Sequence, residues 1–103
     1  MNESSKMNEM KAELEQELAK WQTKIDEARV QLKLGGMEAE QKIQPWLDQL
    51  ENEMSKAKEK WAELEDASEN SWEDIKVGLD SSVDSMKEAF ANARKHFSGN
   101  KVS

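Results

Sequence analysis

The sequence predicts an all-α protein, an antiparallel coiled coil or three-helix bundle, and three observations carry that prediction. The first is one apolar stripe written three times. Met7, Met10, Leu14, Leu18, Trp21, Ile25, Ala28 and Leu32 follow one another at spacings of 3, 4, 4, 3, 4, 3 and 4 residues. The same series runs through Ile43, Trp46, Leu50, Met54, Ala57, Trp61, Leu64 and Ser68, and again through Trp72, Ile75, Leu79, Val83, Met86, Phe90, Ala93 and Phe97. Only a helix gathers residues at such spacings onto one face, and that face needs cover. The second observation is the mean spacing. It lies between the roughly 3.5 residues of a strict heptad and the roughly 3.6 of a straight helix, so the seams wind around each other only gently. The third is a composition of long solvated helices, with 36% charged residues, one proline, no cysteine and no tyrosine.

The chain reads as a single domain, residues 1–103, with helices over about 3–34, 37–67 and 70–97 and a frayed tail at 98–103. The first helix begins between Glu3 and Lys6, where Ser4 and Ser5 can cap it. Its stop is Gly35-Gly36, a pair that costs about 2 kcal/mol relative to alanine inside a helix. Pro45 follows, removing a donor and crowding the carbonyl of Gln41 at a cost of about 3 kcal/mol unless a helix starts there. Residues 35–45 are therefore the weakest place in the pattern. Met37, Glu38, Ala39, Glu40, Gln41 and Lys42 are nevertheless good helix formers, and Gly36 and Ala39 keep the seam in phase. A kinked long helix with a returning shorter one is thus the alternative architecture.

The second boundary is marked by Asp66, Ala67, Ser68, Glu69, Asn70 and Ser71, a run of turn and capping residues with Ser68 or Ser71 as N-cap. In the last helix Glu73 and Asp74 complement the positive end, with Arg94, Lys95 and His96 near the negative end and Gly99 after the C-cap. Leu47 broadens the second seam, whereas Val30 and Leu34 form a small apolar strip away from the first, suited to another subunit. Narrow stripes bury little apolar area per ordered residue, so self-association is expected.

The formal charge of −7 divides as −1 for residues 1–34, −5 for 37–67 and −1 from 68 onward. No segment carries the basic cluster that counterion release requires, so nucleic acid is disfavoured, and anionic membrane with it. The polar stretch Met1 to Lys11 lacks the apolar centre of a signal peptide, and no run is long enough to span a bilayer. Together with the absence of cysteine this places the chain in the cytoplasm.

Candidates for chemistry are few. His96 is the only histidine, so one chain assembles neither a histidine pair for a metal nor a Ser-His-Asp relay; its position suits a protonated imidazole on a helix dipole. Apart from Met1 and Met37, the methionines fall on the seams, where they fill gaps rather than bind copper. Glu63, Glu65, Asp66 and Glu69 form an acidic cluster without the alternating ligands of an EF-hand loop, and read as a solvated face. Trp21, Trp46, Trp61 and Trp72 all lie on the stripe, where their bulk suits helix crossings; the functional reading is contact with an apolar ligand, lipid headgroups or a client protein.

Three segments carry a resemblance. Leu18-Ala19-Lys20-Trp21-Gln22-Thr23-Lys24-Ile25-Asp26, Trp61-Ala62-Glu63-Leu64-Glu65-Asp66-Ala67-Ser68 and Ser71-Trp72-Glu73-Asp74-Ile75-Lys76-Val77-Gly78-Leu79-Asp80 resemble a family of small bacterial coiled-coil stress-response proteins, and the similarity extends from about Met10 to Phe97. Its most specific part is Ala67 to Leu79. The resemblance implies a link to stress conditions, no catalytic residues and no established ligand. The chain departs from the family where 35–45 holds a glycine pair and a proline in place of an Ala- and Lys-rich stretch.

The function expected is that of a non-enzymatic cytoplasmic scaffold or interaction protein linked to stress. Its working surface would be the seam: Leu14, Leu18, Trp21, Ile25, Trp46, Leu50, Met54, Trp61, Leu64, Trp72, Ile75, Leu79, Met86 and Phe90. A holdase-type chaperone and a reversible lipid-binding protein are the alternatives. No catalytic residue, metal or cofactor is implied, and the expected partners are further copies of the chain and client proteins.

Overall fold

The structure is a computed structural model that describes residues 3–68 and 70–97. It is all-helical: α1 (Glu3–Asp66) and α2 (Trp72–Arg94) pack against each other, and no strand occurs among the described residues. The expected first and second helices are joined in α1, which holds a single non-helical residue, Gly36. At φ 68° and ψ −147° Gly36 occupies a region essentially closed to residues with a Cβ. Beside it, a Cβ on Gly35 would collide with the Cβ of Ala39. The pair is thus needed twice over, once for backbone conformation and once for close approach.

What Gly36 does follows from the dimensions. A straight helix of 64 residues would extend about 96 Å, whereas the longest dimension of the molecule is 52 Å. The limbs before and after Gly36, residues 3–35 and 37–66, run back along one another. Arg29 binds Glu51, with Nη2 and Nε donating to Oε2 at 2.6 and 2.9 Å, and Lys58 Nζ donates to Gln22 Oε1 at 3.5 Å. Pro45 lies inside α1 on its exposed side, where the unpaired carbonyl of Gln41 can turn to water.

The seams meet in a large buried cluster and a small one of Ala39, Ile43 and Ala93, with Leu32, Trp46 and Phe97 packed against both. Ile25, Ile43, Leu50, Leu64, Leu79 and Met86 are the largest fully buried side chains among the described residues. Ala28, Ala57, Ala89 and Ala93, all 0% exposed, let the backbones approach closely. Of the three eight-residue stripes only Ser68 is exposed, because α1 ends at Asp66. Leu47 and Ala39 join the interior from beside the stripe, while Gly36, expected to hold the seam in phase, is exposed at the reversal. An edge-to-face series, Trp21 to Phe90 at 6.0 Å and Phe90 to Phe97 at 5.7 Å between centroids, ties the first limb to the end of α2. Ser82 is the one buried polar side chain, and no buried side-chain polar atom lacks a partner among the described residues.

The corner between the helices is closed by backbone bonds. Ser68 accepts from the N–H groups of both Ser71 and Trp72, at 3.0 and 3.2 Å. Ser71 holds the N-cap position, its carbonyl accepting from Ile75 N–H at 3.2 Å, but its side chain makes no capping bond. Glu73 and Asp74 occupy the first turn of α2 and Arg94 the last, as the helix dipole favours. The C-cap is Lys95. Glu69, Gly99 and the rest of the tail expected to fray lie outside the described residues.

Candidate interaction surfaces

The residues expected to form the working surface are mostly interior. Leu14, Leu18, Trp21, Ile25, Leu50, Met54, Leu64, Leu79, Met86 and Phe90 are buried, and Trp46, Trp61, Trp72 and Ile75 are partly buried against the same cluster. The fold covers its own seam, because the two limbs of α1 and α2 each offer one apolar face to the other two.

What remains uncovered is specific. Among the described residues Val30 (53%), Leu34 (69%), Met37 (77%) and Val77 (68%) are the exposed large apolar side chains. Three of the four fall within residues 30–37, around the reversal. Val30 and Leu34, one turn apart, share a face of the first limb, and exposed Lys33 and Glu38 stand to either side of the reversal with opposite charge.

The face shared by the first limb and α2 carries two grooves of contrasting charge. One, of about 470 Å³, is lined by Met10, Leu14 and Val83 with Glu13, Glu17, Asp80 and Asp84 against Lys76 and Lys87. Lys76 Nζ is already paired with Asp80 Oδ2 at 2.8 Å. The other, of about 450 Å³, has Trp21 and Phe90 at its floor and Lys20, Lys24, Lys87 and Arg94 at its rim, with Glu17 the single acid. Lys24 Nζ lies over both rings, 5.6 Å from the Trp21 centroid and 4.9 Å from that of Phe90. The indole Nε1 of Trp21 donates to Glu17 Oε2 at 3.4 Å.

Sequence reasoning missed this basic groove. Lys20 and Lys24 are one turn apart, and Lys87 and Arg94 two turns apart, each pair in a segment, 1–34 or 68–103, that carries a net charge of only −1. The i, i+4 and i, i+7 spacings were the available signal, but only packing puts the pairs side by side.

His96 is exposed, its backbone N–H bonded to Ala93 O at 3.0 Å, and it borders a smaller groove with Gly35, Glu38, Ala39 and Lys42. Glu63, Glu65 and Asp66 are exposed. Among the described residues no group of three or more His, Cys, Asp or Glu side chains is arranged to hold a metal ion. No helix among them is long and apolar enough to cross a membrane. No family model matches the chain, and no curated protein or solved structure matches it either.

Proposed function

We propose that this chain is a non-catalytic interaction module of the cytoplasm: a three-helix bundle, with the limbs of α1 as its first two rods, that pairs with a second copy through the strip around its reversal. The observation that carries this reading is the contrast between a covered seam and the exposed cluster of Val30, Leu34 and Met37. A second copy suits the strip because Lys33 and Glu38 bracket the reversal with opposite charge. A two-fold axis through such a patch sets each charge against its opposite. The resemblance to coiled-coil stress-response proteins supports a role under stress, in which release of the pair presents the strip to another protein.

Light scattering coupled to size exclusion over a wide concentration range tests the reading. The mass should rise from 11.8 kDa towards twice that value, and Leu34→Glu should hold it at the lower value without loss of helicity. A constant 11.8 kDa at every concentration would sink the proposal.

A further inference from the structure

We infer that the groove between Trp21 and Phe90 is a binding site for a small anionic amphiphile, a molecule with a flat or chain-like apolar body and one carboxylate, sulfonate or phosphate head. This inference is independent of pairing through Val30 and Leu34.

Charge is the first argument. The chain as a whole carries −7, yet this groove gathers Lys20, Lys24, Lys87 and Arg94 around one acid, Glu17. Lys20 and Lys87 take part in no ion pair among the described residues, so their charge is available to an anion. Lys20 and Lys24, one turn apart, repel one another, and an anion beside them relieves that repulsion while gaining charge-assisted hydrogen bonds.

The floor is the second argument. Trp21 and Phe90 meet edge to face at 6.0 Å, and the side chain over them is not a packed hydrophobe but Lys24, with its ammonium facing both rings. A lysine is a displaceable cover: its flexible stem swings away, and at a solvent-accessible position the cation–π contact it gives up is weak. Once it moves, the rings meet the apolar body of the ligand and the ammonium meets its head. The volume, about 450 Å³, lies within the usual range of small-molecule sites. The neighbouring groove along the same face has comparable size but the opposite charge, with four carboxylates against two lysines. An anionic head is thereby directed to the Trp21–Phe90 end.

A matched pair of probes tests the site on the full chain. 8-Anilinonaphthalene-1-sulfonate and its uncharged analogue N-phenyl-1-naphthylamine share an apolar body and differ in the anion. The sulfonate should bind saturably at one per chain, about tenfold more tightly than the neutral analogue, and the double variant Lys24→Gln/Lys87→Gln should weaken it by about tenfold or more. Ala91→Glu adds an acid and bulk at an exposed position on the groove wall. It should abolish sulfonate binding while circular dichroism and the melting midpoint stay unchanged. Absence of saturable binding, equal affinity for the two probes, or undiminished sulfonate binding by a folded Ala91→Glu chain would each overturn the inference.

Discussion

At the scale of single residues the glycines separate three physical situations. Gly36 needs its positive φ, Gly35 needs the absence of a Cβ beside Ala39, and Gly78 needs neither, since a Cβ there would make ordinary contacts with the Lys60 stem from 3.4 Å outward. Gly36→Ala should therefore lower stability by about 1–3 kcal/mol and Gly35→Ala by a similar amount through overpacking. Gly78→Ala, inside α2, should raise it by about 0.5–1 kcal/mol. Urea midpoints at unchanged slope read all three, and a tolerated Gly36→Ala would contradict the reversal. Leucines divide in the same way. Leu50 is 0% exposed and Leu34 69%, so Leu50→Ala should cost about 2–5 kcal/mol through lost burial and a cavity. Leu34→Ala should stay within about 0.5 kcal/mol in the single chain.

Elements are decided by where their hydrogen bonds are interrupted. Pro45 lies well past the first turn of the second limb, so the carbonyl of Gln41 loses a partner that alanine would restore. Pro45→Ala should stabilise the chain by up to about 3 kcal/mol, seen as a higher thermal midpoint. A drop would mean that the proline fits a bend that alanine cannot. The Arg29–Glu51 bond pins the limbs in register, but both side chains are part exposed, at 46% and 39%, so its contribution is at most about 1 kcal/mol. Register comes mainly from the seam, where moving one residue along a helix turns its apolar stripe by about 100° out of the core.

For the whole molecule, doubling back at Gly36 turns a helix too long for its own stripe into two limbs that cover each other and α2. Spin labels at Gln22 and Lys58 should report this directly, since the two side chains touch at 3.5 Å. Along an unbroken helix those positions would stand about 54 Å apart. A pulsed-dipolar distance well under half of that value is expected, and one near it would remove the reversal. The same packing sets Lys20 and Lys24 beside Lys87 and Arg94 and makes one basic groove from two helices that each carry net negative charge.

By itself the sequence determined that the chain is helical and which residues form the seams, because a spacing of threes and fours leaves only one face on which large apolar side chains can be buried. It also located the weak point at residues 35–45 and the strip of Val30 and Leu34. Tertiary structure alone decided that the reversal takes place at one glycine rather than over a loop, since that depends on the limbs attracting each other strongly enough to hold Gly36 at φ 68°. It alone decided the charge of the grooves, because periodicity describes one helix at a time, whereas a groove is a property of two.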